Sequence, residues 1–393
     1  MTLIKEGNVV IDVSDADYGK IFVPSKKMKV FYNPRMKHNR DISVLFYDFW
    51  AKAVKKSENL VFFDGMAGSG VKGLRVLAET GIKNVIFNDL NPKSIENIRS
   101  NLKINNLPKN IHYNLYNLSF QRLLAEKQAD IVDLDPFGTP VLFLDFVLAN
   151  ARKGELISIT ATDTAVLCGA SQQNSQKCER IYFSTPSKNE SMKETGLRIL
   201  LGYIARTAAK YGLFPLFLLS YSKDHYMRAF FSIEKYKQGD LDRKIGHISF
   251  CAACNKRKVN FEQCFSYVCE CGANLTIAGP LWLGNFIDMG FYKEIDGFVK
   301  KQNKKIKFSE KTKNTTLNTQ QQLRAVQKFD NLLKFMKPLA AEQNFLPWHY
   351  NLHNYPNYAH KKIDQALQEI KGVRSHFDPL AVKTNKTNLF EKS

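Results

Sequence analysis

The sequence predicts an α/β protein built on a doubly wound, mostly parallel sheet, followed by a small cysteine-rich lobe and a C-terminal α+β domain. Three observations carry this. Short apolar runs alternate with helical patterns, a glycine-rich turn follows the first such run, and five cysteines crowd between Cys251 and Cys271.

The runs Leu60–Phe63, Val85–Asn88, Ile131–Leu134 and Leu156–Thr160 read as buried parallel strands, being short and rich in β-branched and aromatic residues. Lys72–Thr80, Pro92–Asn105 and Val141–Asn150 have helical spacing between them, which gives βαβ units. A long helix near Lys193–Lys210 leads to Leu213–Tyr221 and Tyr226–Lys235, a pair that reads as a closing antiparallel hairpin. The division expected is 1–245 for an N-terminal segment and the sheet domain, 246–285 for the cysteine-rich lobe, and 286–393 for a separate C-terminal domain. Lys300–Lys313, with seven lysines and one acid, reads as a solvated linker or phosphate-facing strip, and helical patterning resumes over Gln320–Met336 and His360–Lys371.

Lys and Arg outnumber Asp and Glu by 57 to 37, a net charge of +20. Such an excess points to a polyanionic partner, because each neutralised phosphate releases condensed counterions. No stretch reaches the roughly 20 uncharged apolar residues of a membrane helix. The opening residues lack an apolar signal core or cleavage site, so a cytoplasmic protein is expected; no obligate protein partner is evident in the sequence.

Val61-Phe62-Phe63-Asp64-Gly65-Met66-Ala67-Gly68-Ser69-Gly70 is an apolar strand ending in an acid and a glycine-rich turn, with a helix after it. Glycine lets the backbone turn tightly and approach a ligand, and the helix start supplies free N–H donors. The order is G-x-x-G-x-G, not the dinucleotide order G-x-G-x-x-G. Asp64 directly before Gly65 and Gly68 is the arrangement that holds S-adenosylmethionine; on this motif alone a dinucleotide site or a plain turn stays open. Asp89 follows Gly70 by 19 positions, where a carboxylate accepts ribose hydroxyls, and it also suits a helix cap ahead of Pro92. Asn117 and Leu118 stand at the third strand's end, where adenine belongs.

Asp135-Pro136-Phe137-Gly138 closes the fourth strand, beside the switch point where ligands bind in such sheets. An exocyclic amine is a poor nucleophile, its lone pair being delocalised into the ring. Asp135 and a nearby carbonyl can accept its N–H bonds and bring the lone pair towards a methyl sulfonium. Pro136 fixes the turn, and Phe137 offers a face for a flipped base, worth roughly 1–3 kcal/mol. Asp135, Pro136 and Phe137 are therefore the candidate catalytic residues.

The chain resembles the archaeal form of the tRNA (guanine(26)-N(2))-dimethyltransferase family over almost its whole length. The resemblance rests on Phe31-Tyr32-Asn33-Pro34-Arg35 with Asn39-Arg40-Asp41, then Asp133–Pro140, Thr160–Gly169, Ile277–Trp282 and Arg374–Phe377. It implies a Rossmann-like class I methyltransferase domain, a C-terminal domain that grips tRNA, and dimethylation of guanine N2. It also implies cofactor contacts from Arg35, from Asp89 at the ribose, and from Asn117 and Leu118 at the adenine. Two departures stand out. Lys72 occupies a position where Arg is expected, and Lys cannot form the same fork. Asn117-Leu118 replaces an Asp-Ala pair, and Asn can still accept from the adenine amine.

Cys251, Cys254, Cys269 and Cys271 have the pattern of a closed, structural four-thiolate zinc site, although C-x-C is tighter than the usual knuckle and Cys264 could replace one member. Two other readings compete with tRNA guanine methylation. One is a guanine-N2 or adenine-N6 methyltransferase acting on another RNA or on DNA. The other is a non-catalytic zinc-containing RNA-binding protein, against which the intact Asp64, Asp89 and Asp135 argue.

Overall fold

The computed structural model describes residues 2–13, 28–55, 59–261, 266–311 and 317–389. Strands β1 (Leu3–Glu6) and β2 (Val9–Asp12) form a hairpin, and α1 (Lys37–Trp50) follows. Next come β3 (Val61–Asp64), α2 (Val71–Glu79), β4 (Asn84–Asn88), α3 (Pro92–Ile104), β5 (His112–Tyr116), α4 (Phe120–Glu126), β6 (Ile131–Leu134), α5 (Val141–Asn150) and β7 (Leu156–Ala161). Helices α6 (Thr164–Leu167), α7 (Gln172–Tyr182) and α8 (Met192–Lys210) precede β8 (Leu213–Lys223) and β9 (Tyr226–Lys235). Strands β10 (Ile245–Cys251), β11 (Arg257–Asn260) and β12 (Leu275–Trp282) lead to α9 (Met289–Lys311) and α10 (Leu317–Ala341). The tail carries three short strands and a helix over Ile363–Ile370.

The chain forms two compact units, neither of them continuous in sequence. The first comprises Met1–Phe137, Ala149–Ile159 and Met289–Phe335; the second comprises Gly138–Leu148, Thr160–Asp288 and Met336–Ser393.

In the first unit the parallel strands lie in the order β5-β4-β3-β6-β7. The chain leaves β3 towards β4 on one side and returns to β6 on the other. The carboxyl ends of β3 and β6 therefore open a crevice at the switch point, where a ligand finds helix starts and loop backbone. Apolar side chains on both faces bury these strands, Phe62, Phe63, Val85, Phe87, Ile131 and Val132 among them.

The lysine-rich stretch is not a linker in its described part, since α9 runs through it to Lys311; residues 312 and 313 lie outside the described residues. Its helical register is set by aromatic packing. Phe291 meets Phe46 and Phe49 of α1 at ring-centroid distances of 4.9 and 5.5 Å, and Phe298 and Phe329 meet Phe49 at 5.8 and 5.4 Å. These contacts also explain why the expected boundary near residue 286 does not coincide with the compact units. Met289–Phe335 gathers with the parallel sheet, and the chain from Thr160 to Asp288 and from Met336 gathers with the cysteine-rich lobe.

The second unit holds the antiparallel pair β8–β9, with a register shift between Phe217 and Leu219, so the central sheet of the protein is mixed. It also contains the sheet β11-β10-β12. Its core is ionic in part. The carboxylate of Glu194 accepts from Arg198 and Lys383 and pairs with His349, and Arg257 pairs with Glu190. Every member of the first cluster is buried, so each charge depends on its partners. Among the described residues, no helix is long and apolar enough to cross a membrane.

Candidate active site

The glycine turn after β3 takes its shape from its neighbours. Gly70 adopts φ +75° and opens α2, while Asp64 Oδ2 accepts the Gly73 N–H at 3.0 Å and so satisfies an orphan donor of the first helical turn. Gly68 has φ +53°, and a Cβ there would lie 2.7 Å from the Phe31 carbonyl oxygen. Glycine is required because the segment around Phe31 crosses the turn, where the Ser69 N–H donates to that carbonyl at 3.1 Å.

The rim is tied by side chains at the ends of β4 and β5. Asp89 accepts from the Gly68 N–H at 2.8 Å and the Asn91 N–H at 2.9 Å. Asn117 Nδ2 donates to the carbonyls of Asp89 and Leu90 at 2.8 and 2.9 Å, leaving Oδ1 as its acceptor. The Leu118 N–H donates to Asn88 Oδ1 at 3.1 Å, so Asn117 and Leu118 are held beside Asp89.

Phe31, Asn33, Asp64, Ser69, Lys72 and Asp135 line one cavity together. Ser69 Oγ is buried there with no hydrogen-bond partner, a cost normally removed by a ligand or water. Asp133 and Asp135 stand two residues apart and project to the same side of β6. Lys72 donates to Asp135 Oδ2 at 2.5 Å and also to Asp133 Oδ2. Behind them, Asp133 Oδ1 accepts from Tyr47 at 2.9 Å and Ser158 at 2.8 Å. Burial, reinforced by Asp133 and Asp135 and opposed by Lys72, pushes the Asp64 carboxyl up to about 7. Pro136 is buried, whereas Phe137 is 51% exposed and meets Phe31 edge-on at 6.2 Å. A phenyl ring left so open beside a cavity can receive a planar ligand.

The wall that crosses the turn has its own anchor. Arg40 donates to both oxygens of Glu6, at 2.7 and 2.6 Å, and to the Asn33 carbonyl at 3.1 Å. Tyr32 adds its hydroxyl to Glu6 at 2.8 Å. Burial works to raise the Glu6 pKa, but Arg40, Tyr32 and Arg75 outweigh it and hold the carboxyl down at about 2.

The structure thus brings Asp64, Lys72 and Asp135 to one cavity, with Gly65 and Gly68 in the adjoining turn, Asp89 tied to that turn with Asn117 and Leu118 beside it, and Phe137 against Phe31 of the wall. Arg35 is exposed and does not line the cavity; its backbone N–H donates to the capping Oδ1 of Asn33 at 3.0 Å. Arg40 lines it instead. Sequence reasoning missed Arg40, Asp133, Ser69 and Glu6. The signal for Asp133 was a carboxylate inside an otherwise apolar strand, which demands a cationic or hydrogen-bonding partner.

In the second unit the Sγ atoms of Cys251, Cys254, Cys269 and Cys271 all lie within 4.8 Å of one another. Cys251–Cys271 and Cys254–Cys269 are each separated by 3.6 Å. A tetrahedron of thiolates with metal–sulfur bonds of about 2.3 Å has edges of about 3.8 Å. The four thiols fit that metal with no open position. Cys264, the alternative member, lies outside the described residues.

Fold and site together define an α/β methyltransferase with a mixed central sheet. The family described as N2,N2-dimethylguanosine tRNA methyltransferase matches residues 7–390, and the chain belongs to it. A tRNA (guanine(26)-N(2))-dimethyltransferase of Methanobrevibacter smithii is 34% identical over 375 residues, covering 92% of this chain and 89% of the relative. A tRNA (guanine(26)-N(2)/guanine(27)-N(2))-dimethyltransferase of Aquifex aeolicus is 31% identical over 389 residues, covering 95% and 93%. Among solved structures, Trm1 from Pyrococcus horikoshii in complex with S-adenosyl-L-methionine superposes with a TM-score of 0.75 at 28% identity, covering 98% of this chain and 97% of that one.

Proposed function

We propose that the protein transfers two methyl groups in succession from S-adenosylmethionine to N2 of guanine 26 in tRNA. The observation that carries this reading is the Asp135 carboxylate, held by Lys72 on the cavity wall next to the exposed ring of Phe137. The cavity suits the cofactor. Its glycine turn leaves room for close backbone approach, Ser69 offers an unused hydroxyl, and Asp89 presents a carboxylate at ribose height on the rim. When bound, S-adenosylmethionine supplies an electrophilic methyl group.

The chain's residues do the rest by positioning. Asp135 Oδ1 and the Pro136 carbonyl accept the two N–H bonds of the amine, Phe137 stacks the base, and Asn117 Oδ1 accepts from adenine while Leu118 packs on it. Asp64 and Gly65 shape the turn, and Lys72 serves the site through Asp135. Arg35 reaches the cofactor only by rotating its exposed side chain inward. The excess of 57 basic over 37 acidic residues suits a tRNA backbone, gripped in part by the chain after residue 286. The four cysteines hold a structural zinc ion that staples β10 to the turn before β12.

Incubation with methyl-labelled S-adenosylmethionine and total tRNA, followed by nucleoside analysis, tests the reading. N2,N2-dimethylguanosine is the expected product, and transfer only to ribosomal RNA or DNA overturns it. The Aquifex aeolicus relative favours a second reading, in which guanine 27 is also modified. Transcripts lacking guanine at either position separate the two.

A further inference from the structure

The floor of the cavity carries more negative than positive charge. Asp64 and Lys72, only 3% and 5% exposed, line it with Asp135, and Asp133, 1% exposed, sits directly behind. Lys72 is shared between Asp133 and Asp135, so one ammonium faces three carboxylates. Among the described residues, the other groups found around the floor are neutral or already paired with another acid. Arg40, also on the wall, is committed to both oxygens of Glu6 at 2.7 and 2.6 Å. Tyr47 from α1 and Ser158 from β7 reach Asp133 with neutral hydroxyls, and Tyr32 gives its hydroxyl to Glu6. Asp89 at the end of β4 adds a further carboxylate at the rim.

Surplus negative charge in a buried site is costly unless a proton or a cation neutralises it. Asp64 is a group on which burial favours a proton. Its carboxylate accepts the Gly73 N–H at 3.0 Å, and among the described residues no ion pair to it is seen, Lys72 being engaged by Asp133 and Asp135. Burial, with Asp133 and Asp135 nearby, pushes it up to about 7.

We infer, on the footing of the methyl-donor reading above, that this cavity selects its ligand by charge: a proton on Asp64 balances the surplus when no cation is bound, and the sulfonium of the donor displaces it. Donor binding then releases a proton. The thioether left after methyl transfer is neutral, restores the surplus, and binds without that release. The site therefore favours the methyl donor over its product for a reason separate from shape, and the preference depends on pH. Below about pH 7 the donor must expel the proton, so its advantage grows by up to tenfold per unit as pH rises. Above that range Asp64 is already ionised and the advantage levels off.

Calorimetric titration of the full chain at pH 7, in buffers of different ionisation enthalpy, measures the proton directly. S-adenosylmethionine is expected to release on the order of half a proton per site, and S-adenosylhomocysteine close to none. Asp64→Asn removes the titrating group yet keeps an acceptor for the Gly73 N–H, and it also subtracts any ionisation of the ligand itself; the donor's release is expected to vanish in it. Equal release by donor and product, or release that persists in Asp64→Asn, overturns the inference. Should that variant fail to fold, the comparison of donor and product on the unaltered protein still decides. A protein that binds no donor overturns the cofactor reading; one that binds it without proton release overturns this inference alone.

Discussion

The ammonium of Lys72 donates to Asp135 Oδ2 at 2.5 Å, and the same Nζ also reaches Asp133 two residues earlier on β6. Lys72 thus ties the helix after the glycine turn to β6 and to the turn Asp135–Gly138 that follows it. Lys72→Met leaves Asp133 buried without its cation, and such a break costs roughly 3–5 kcal/mol. Denaturant unfolding should show a loss of that size, and an unchanged midpoint would remove Lys72 from the account of stability. Lys72→Arg keeps the charge and should recover most of it.

Asp135→Asn keeps the size of the side chain but removes its charge and leaves one oxygen to serve both Lys72 and the amine. Turnover is expected to fall by about 100-fold or more, the loss typical of removing one polar group from a reacting centre. Donor affinity should change by less than about tenfold, because one carboxylate among several on the floor is altered. Equilibrium binding beside single-turnover kinetics separates the two, and a collapse of donor affinity with normal turnover would misplace Asp135.

Phe137 is the open face of the site, so Phe137→Ala should weaken productive tRNA binding by the value of one base stack, roughly 1–3 kcal/mol. The effect belongs in the KM for tRNA, with donor binding unchanged. Phe137→Tyr restores a ring and should rescue it. Equal effects of Ala and Tyr would argue against stacking.

Glu6 holds the wall of the cavity, and its pH dependence has a definite sign. Its carboxyl lies at about 2 in the folded chain against 4.5 for the ordinary group, so its contribution is present above 4.5 and lost as pH falls towards 2. That window amounts to roughly 3 kcal/mol. Acid unfolding of Glu6→Gln should be correspondingly flatter there, with lower stability at neutral pH because Arg40 and Arg75 lose their partner. Parallel acid curves for both proteins would contradict the Arg40–Glu6 account.

Metal analysis of the purified chain should return one zinc per protein, and strong chelation should lower the melting temperature. Cys269→Ser should abolish the metal and the chelator response together. Donor binding in the first unit should persist, since none of its residues belongs to the cysteine cluster.

Much was legible in the sequence because it is local. A strand followed by a glycine turn and a helix, a hairpin, and the turn Asp135–Gly138 are patterns of adjacent residues whose physics acts within a few positions. The cysteine cluster was legible for the same reason, as two close pairs needing only one loop to meet. Pairing across the fold was not. Lys72 read from its position as a donor to the cofactor, yet its partners lie 61 and 63 residues away on β6. Arg40 carries no mark of its partner in the sequence, since only folding brings Glu6, 34 residues away, to it. The lysine-rich stretch reads as a linker or a phosphate-facing strip because charge dominates its composition; Phe291 and Phe298, packing against α1 just before it, belong to the helix that runs on to Lys311. The sequence by itself determined the glycine turn, the Asp135–Gly138 turn and the cysteine pairs, and on which loops they stand. Only the tertiary structure decided which charges neutralise one another, because a buried ion is defined by partners that the order of residues does not name.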